Sequence, residues 1–147
     1  MSQPLIMSFR PDAAQMCLDG RKTETRRLAK RHDFIRVKMV NGRAIKELVN
    51  VVWDGKICQH RGKVVYRVGD IISILPGRGK RAVGKVRCTD IEHEPLLCIT
   101  DKDVTREGVE PATRKEYLRV WQKLHPRGPD NPMVRVIQFE PIDESEA

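Results

Sequence analysis

Short apolar runs separated by turn residues dominate the first half of the chain and predict β-strands. Residues 5–9 (LIMSF) form one such run, and residues 34–75 contain IRVKMV, ELVNVVW, KICQH, KVVY and DIISIL. Asn41-Gly42 and Asp54-Gly55 separate some of these runs, and both are dipeptides that favour two-residue hairpin turns. The pattern therefore predicts mainly antiparallel strands with short connections.

Two helices have clear start and stop signals. Pro11 opens a pattern of apolar residues that runs to Cys17, and Gly20 fits the C-terminal cap. Thr100 precedes the second helix, DKDVTRE, and Gly108 follows it. We therefore expect a helix on each side of the strand-rich stretch.

A third helix and two further strands complete the prediction. Thr113 and Glu116 have the spacing of a capping box, and residues 82–96 and 133–140 are strand-like. The apolar residues of this helix recur at helical spacing: Tyr117, Leu118, Val120, Trp121 and Leu124. The whole chain is predicted to be an α+β fold, with a small, mostly antiparallel β-barrel and flanking short helices.

Length and composition favour one domain without a membrane span. The chain has 147 residues, which fits a single domain over residues 1–140, followed by an acidic flexible tail at 141–147. Its apolar runs are far shorter than the roughly 20 residues of a membrane helix, and its N-terminal residues lack a signal-peptide pattern. We expect a cytoplasmic monomer.

Positive charge is concentrated in one part of the sequence. The net charge is +8, and residues 21–46 contain ten Lys and Arg but only Glu24 and Asp33 as acids. A concentrated basic field favours an anionic or nucleotide-like partner, RNA included. A solubilising surface is the alternative that charge alone leaves open.

Metal and cofactor chemistry finds no support in the sequence. The histidines (His32, His60, His93 and His125) lack the three- or four-residue spacing of a helical metal pair. The cysteines (Cys17, Cys58, Cys88 and Cys98) are predicted to be reduced, small core residues. We expect neither a metal nor a cofactor.

Lys22 and Thr25 are the candidates for nucleophilic chemistry. An internal threonine hydroxyl needs a nearby base to take its proton, and a lysine can serve when it is neutral part of the time. Arg21, Arg26 and Arg27 add like charges that favour a neutral amine, and arginines cannot act as the base themselves. Lys22 is therefore predicted to activate Thr25, with an ordinary surface pair as the alternative.

Four segments, in the same order along the chain, resemble the ASCH-domain family. They are GRKTETRR (20–27), YRVGDIISI (66–74), ITDKDVTREGV (99–109) and MVRVIQFE (133–140). The resemblance implies a PUA-like fold, a small β-barrel with flanking helices and a central cleft. It also implies that the cleft engages RNA or modified nucleosides.

One branch of this family, the compact bacterial N4-acetylcytidine amidohydrolases, suggests catalytic roles. Its Gly-Arg-Lys-Thr-x-Thr motif matches residues 20–25, which places its lysine and threonine at Lys22 and Thr25. Its glutamate, eight residues after the Ile that opens the second helix, corresponds to Glu107. The resemblance implies a metal-free hydrolase of a non-peptide C–N bond that converts N4-acylated cytidines to cytidine and a carboxylic acid.

Other residues are expected to contact the substrate, and other functions stay open. Phe9 and Arg10 are predicted to border the pocket, and Arg21 and Arg26 to bind substrate. The chain departs from the compact branch by a β-rich insertion at 29–65, which contains Trp53 and much of the basic charge. The alternatives are an RNA- or nucleoside-binding module without turnover, and a ribonuclease.

Overall fold

The computed structural model describes residues 5–52, 61–108 and 113–142. It confirms an α+β fold of three helices and mostly antiparallel strands. Trp53, Cys58, His60, the strand predicted at 56–60 and residues 143–147 of the tail lie outside the described residues. The elements are β1 (Ile6–Ser8), α1 (Pro11–Asp19), β2 (Glu24–Leu28), β3 (Asp33–Val40), β4 (Arg43–Val52), β5 (Arg61–Arg67), β6 (Ile71–Leu75), β7 (Gly84–Pro95), α2 (Asp101–Glu107), α3 (Arg114–Leu124) and β8 (Met133–Pro141), with a 3-10 turn at Leu96–Cys98.

The helices end where the sequence signals predict. Gly20 and Gly108 adopt left-handed φ angles of 84° and 77°, which a residue with a Cβ atom rarely adopts. Thr100 and Asp103 form a reciprocal capping box at the start of α2. At α3 the Thr113 hydroxyl accepts a backbone N–H in the same way. These caps fix the two chain reversals that flank the candidate site.

Two sheets form the β structure. The large sheet has the order β1-β6-β7-β8-β2, with β1 and β6 parallel and the other pairs antiparallel. The small antiparallel sheet, β3-β4-β5, contains most of the predicted insertion. Asn41 and Gly42, with φ angles of 50° and 78°, make the tight turn between β3 and β4.

The predicted barrel does not close in the described residues. Strands β1 and β2 are the two edges of the large sheet, and no backbone ladder joins them. A side chain bridges them instead, because Arg27 Nη2 donates a hydrogen bond to the Ser8 carbonyl at 2.7 Å. The predicted small barrel is therefore open between these two edge strands in the described residues, and Arg27 bridges the gap.

The large sheet buries a core on each face. Side chains alternate along a strand, so Ile137 and Phe139 of β8 face one side while Val134 and Val136 face the other. The first side packs with Cys17 of α1 and with β4, and the second packs with α2 and α3. The sheet is thus covered on both faces, and β2 lies at its edge between the two cores.

Some predicted core residues are exposed. On α3, Tyr117 and Trp121 are buried, but Val120 and Leu124 are 41% and 71% exposed, because α3 contacts the sheet along a narrower stripe than predicted. Cys17 and Cys88 are buried free thiols as predicted, whereas Cys98 is exposed. None of the helices in the described ranges is long and apolar enough to span a membrane.

Candidate active site

The turn after α1 brings Lys22 to the end of α2. Gly20 ends α1, and the Lys22 N–H then donates to the Met16 carbonyl at 3.0 Å. The next residue, Thr23, donates its N–H to the Arg106 carbonyl at 2.7 Å, and its own carbonyl accepts from the backbone of β8. These backbone bonds attach the start of β2 to both α2 and the large sheet.

Lys22 and Glu107 form a buried ion pair. Lys22 Nζ lies 2.8 Å from Glu107 Oε2 and also donates to the Glu107 carbonyl at 2.9 Å. Each residue is only 6% exposed. A buried ion pair offsets its desolvation only when further hydrogen bonds satisfy both partners. The backbone carbonyl meets part of that need for the amine, and it lies at the negative end of the α2 dipole.

Tyr117 and Arg26 contact the second oxygen of Glu107. The Tyr117 hydroxyl donates to Glu107 Oε1 at 3.3 Å, and Arg26 Nη1 lies 3.5 Å from the same atom. Burial, together with the Glu107 charge, raises the pKa of Tyr117, so its hydroxyl stays a neutral donor. Sequence analysis assigned Tyr117 only to the apolar stripe of α3. A polar atom on an otherwise buried helix face was the signal that could have identified it.

Arg26 is surrounded by carboxylates. Its guanidinium contacts Glu24 at 2.5 Å, Glu94 at 2.8 Å and Asp103 at 3.4 Å. Burial raises the pKa of Glu24, and the hydrogen bond from Arg26 opposes that change. Arg26, which looks like part of a cationic cluster in the sequence, is therefore neutralised by Glu24 of its own strand and by acids of β7 and α2. Glu24 was known from the motif, but the roles of Glu94 and Asp103 were not predicted.

Thr25 faces the opposite side of β2 from Arg26. It pairs with Ile137, so its side chain lies on the face covered by α1, whereas Arg26 pairs with Val136 on the face covered by α2 and α3. Thr25 is 5% exposed, and its hydroxyl makes no hydrogen bond to any group in the described ranges. No hydrogen bond thus joins it to Lys22 in this structure.

Phe9 and Arg27 border the same side of the site. Lys22 Nζ lies 5.6 Å from the centre of the Phe9 ring, and Arg27 Cζ lies 4.9 Å from it. Arg27 shares a strand face with Thr25, two residues away. Burial lowers the pKa of the Arg27 guanidinium, which has no carboxylate within 4 Å among the described residues. The Phe9 ring therefore lies close to both the Arg27 guanidinium, which bridges β1 and β2, and the Lys22 amine.

The structure does not bring Arg10 and Arg21 into this cluster. Arg10 is exposed at the N-terminal cap of α1. Arg21 is exposed as well and forms a surface ion pair with Asp19 at 2.7 Å. Their predicted roles in substrate binding stay predictions, as do those of Phe9 and Arg26.

Three cavities lined by described residues lie away from this cluster. Two of them, of about 290 and 220 Å³, lie beside Trp121 and the loop before β8. The third, of about 440 Å³, lies at the end of β2. None is lined by Lys22, Thr25 or Glu107, each of which is at most 6% exposed. The candidate active site is defined by its chemistry, because catalysis depends on a transferable proton and a nucleophile more than on empty volume in the free protein. In the described ranges no three His, Cys, Asp or Glu side chains cluster to form a metal site.

Comparison with solved structures identifies the fold. The chain is similar to protein EF3133 from Enterococcus faecalis V583, of family DUF984, with 17% identity, a TM-score of 0.58, and coverage of 97% of this chain and 82% of the other. It is also similar to an ASCH domain from Lactobacillus crispatus JV V101, with 11% identity, a TM-score of 0.55, and coverage of 92% and 79%. No protein-family model and no curated protein matches the sequence.

These similarities place the chain in the ASCH class of folds. The ASCH neighbours are PUA-like, and the described residues form the same α+β architecture with open rather than closed sheets. The fold predicted from the four sequence segments is confirmed. At this level of identity the likeness concerns the fold, so the activity has to be argued from this chain's own residues.

Proposed function

We propose that this protein is an ASCH-fold amidohydrolase that removes the acyl group from the exocyclic nitrogen of N4-acylated cytidines. The observation that carries the proposal is the buried Lys22–Glu107 pair, whose Lys22 amine lies 5.6 Å from the centre of the Phe9 ring and three residues before the buried Thr25. The pair has a transferable proton, and Thr25 is an alcohol without a hydrogen-bond partner in the described part of the chain. Base, acid and nucleophile are thus available in one small region.

The first step is a proton transfer inside the pair. Substrate entry removes water, and a drier site favours two neutral groups over two charges. The ammonium of Lys22 then passes a proton to Glu107 Oε2, 2.8 Å away. The resulting amine takes the Thr25 hydroxyl proton as the threonine oxygen attacks the amide carbonyl. This scheme assigns the activation of Lys22 to Glu107, not to the arginines that the sequence suggested.

The second step breaks the C–N bond. Protonated Glu107 gives its proton to the departing cytosine nitrogen, which releases cytidine and leaves an acyl ester on Thr25. Tyr117 and Arg26 hold the other oxygen of Glu107, so the carboxyl group keeps its orientation during the transfer.

The third step restores the protein. Glu107, again a carboxylate, takes a proton from water, and the hydroxide attacks the acyl-threonine ester. Lys22 returns a proton to the Thr25 oxygen, and Glu107 then returns one to Lys22. The carboxylic acid leaves, and every proton is back in its starting position. The planar Phe9 ring, beside the Arg27 guanidinium, is a suitable surface for the flat cytosine ring.

A direct assay tests this proposal. Purified protein is incubated with N4-acetylcytidine, and the release of cytidine and acetate is followed by chromatography. We expect the unaltered protein to release cytidine and acetate in equal amounts. A Thr25→Ala variant with the same circular dichroism spectrum should release neither. A Thr25→Ala variant with undiminished turnover would contradict the proposal, because no other nucleophile is assigned.

A binding module without turnover is the second candidate. Two observations favour a binding module. The Lys22 amine donates to both the carbonyl and Oε2 of Glu107, and no hydrogen bond joins Lys22 to Thr25. Salt distinguishes the two functions. Binding through phosphates weakens steeply as salt rises, with a slope set by the number of contacts, whereas hydrolysis of a neutral nucleoside changes little.

A further inference from the structure

A cavity of about 440 Å³ with a mainly apolar lining opens where β2 ends and β3 begins. Lys30 and Arg31, in the connection between these strands, line it together with Asp33 and His93. Leu28 and Met133 add apolar walls. The volume is sufficient for a small ligand, and the lining combines apolar walls with a few polar groups, as ligand sites do.

His93 has an unused nitrogen beside this cavity. Its Nε2 atom is buried and makes no hydrogen bond to any group of the described residues. The nearest carboxylate oxygen, Asp33 Oδ2, is 3.8 Å away, which is too long for a hydrogen bond. Asp33 is already occupied, since Arg135 donates to both of its oxygens at 2.6 and 2.8 Å. A buried polar atom without a partner calls for an explanation, and a ligand in the cavity supplies one.

Lys30 and Arg31 provide positive charge without a counterion. Both are exposed, and neither side chain pairs with an acid in the described ranges. Other basic residues of this region differ, because Lys46 pairs with Asp90 and Arg36 with Glu47. Lys30 and Arg31 therefore carry uncompensated positive charge where they line the cavity.

We propose that this cavity binds a phosphate group, with Lys30 and Arg31 supplying the charge and His93 a hydrogen bond. Arg135 donates to both oxygens of Asp33 and offsets its negative charge, which limits its repulsion of the anion. The site is separate from the Lys22–Glu107 pair, and phosphate binding there does not require hydrolysis.

The position of the cavity indicates how the phosphate is presented. Leu28 lies three residues after Thr25, a distance of about 10 Å along the extended strand β2. A nucleotide chain with its base beside Thr25 can therefore place one of its phosphates in the cavity. The phosphate belongs to a mononucleotide or to an RNA strand, and the ligands of the experiment separate these two sources.

The experiment compares two double variants with equal loss of charge. Lys30→Gln with Arg31→Gln removes the proposed site, and Lys80→Gln with Lys85→Gln is the control at the other end of β7, roughly 25 Å from His93 along the strand. Cytidine, inorganic phosphate, CMP and a ten-nucleotide single-stranded RNA are titrated by calorimetry at low salt. We expect the phosphate-bearing probes to bind about tenfold more weakly to the first variant and unchanged to the control. His93→Gln tests the hydrogen bond separately.

The outcomes are distinct. A loss seen with CMP and RNA alike assigns the site to a nucleotide's own phosphate, and a loss seen only with RNA assigns it to a strand. Equal binding by the two double variants, or no binding of any phosphate probe, would overturn the proposal. Thr25→Ala should keep phosphate affinity while it loses turnover, so failure of the hydrolase proposal and failure of this one can be told apart.

Discussion

Two buried ion pairs of this protein join residues far apart in the sequence, and they differ in one respect that matters for chemistry. Asp33 and Arg135 share two hydrogen bonds, and Asn50 and the Lys30 backbone N–H donate to the same carboxylate. Lys22 Nζ makes one hydrogen bond to the Glu107 carboxylate and a second to the Glu107 carbonyl, and the other carboxylate oxygen accepts from Tyr117 at 3.3 Å and lies 3.5 Å from Arg26. The first pair is saturated, whereas the second retains capacity for another partner.

The cation of each pair strengthens the contrast. An arginine keeps its proton at any pH a protein survives, so the Asp33–Arg135 pair can only hold structure. A lysine can transfer a proton to its carboxylate when water is excluded. The comparison teaches that burial and charge alone do not mark a catalytic pair. A movable proton next to an unbonded nucleophile is the more informative feature.

Replacing the cation of the second pair by an arginine should give the largest effect. Lys22→Arg keeps the charge but removes the transferable proton, so we expect kcat on N4-acetylcytidine to fall by about 10³-fold or more. Turnover is measured on protein whose thermal unfolding matches that of the parent. Retained activity would show that the pair acts by charge alone, and it would contradict the distinction between the two ion pairs.

Removing the cation of the first pair should affect stability instead. Arg135→Met leaves Asp33 buried without its main partner, and we expect the free energy of unfolding to fall by about 3 kcal/mol. Urea unfolding measures this loss. Turnover of the folded fraction should stay within about threefold of the parent, and a collapse of kcat in stable protein would assign Arg135 a functional role.

Acid should weaken the first pair in a defined range. Burial by itself raises the pKa of Asp33, but hydrogen bonds from Arg135, Asn50 and the Lys30 N–H lower it to about 2. A lowered pKa contributes stability above the unfolded value near ~3.9 and loses it as the pH falls towards 2. We expect about 2 kcal/mol at pH 6, about half of that at pH 3 and little at pH 2.

The difference between the parent and Asp33→Asn in urea unfolding, measured at these pH values, isolates this contribution. Titration of other groups is common to both proteins and largely cancels. A difference that stays constant from pH 6 to pH 2 would mean that the carboxylate charge does not stabilise the fold.

The smallest effect concerns the orientation of Glu107. Tyr117→Phe removes one hydrogen bond to Oε1 without opening a cavity, so we expect about a tenfold loss of kcat with little change in KM. Tyr66→Phe is the control, because it removes a hydroxyl of a half-buried tyrosine that donates to the Ile6 carbonyl, away from Glu107. Equal losses in both variants would indicate a general packing effect rather than positioning.

Local signals in the sequence predicted the elements well. The glycine caps, the Thr100 cap and the Asn41-Gly42 turn act within a few residues and are found where expected, whereas the capping box predicted at Thr113 and Glu116 forms only its Thr113 half. The prediction failed where the outcome depends on packing. Val120 and Leu124 are exposed although their spacing is helical, since only the tertiary contact decides how wide a buried stripe is.

The candidate site was predicted only in part for the same reason. Lys22, Thr25 and Glu107 follow from motif positions, and the structure brings two of them into contact. Tyr117, Glu94 and Asp103 are separated from Lys22 by many residues, so no local pattern could assign them to one cluster. The sequence also did not show which arginines near Lys22 are paired: Asp19 pairs with Arg21, and the acids around Arg26 include the distant Glu94 and Asp103.

The helices, most strands and the turns that join them could be read from the sequence, because they depend on backbone preferences and on hydrogen bonds between near neighbours. The spacing of Lys22 and Thr25 could be read from it as well. Only the tertiary structure decided which charges are neutralised, which side of β2 each side chain faces and that the sheet stays open between β1 and β2. Electrostatic partners and solvent exclusion act through space, and the distances that govern them exist only once the chain has folded.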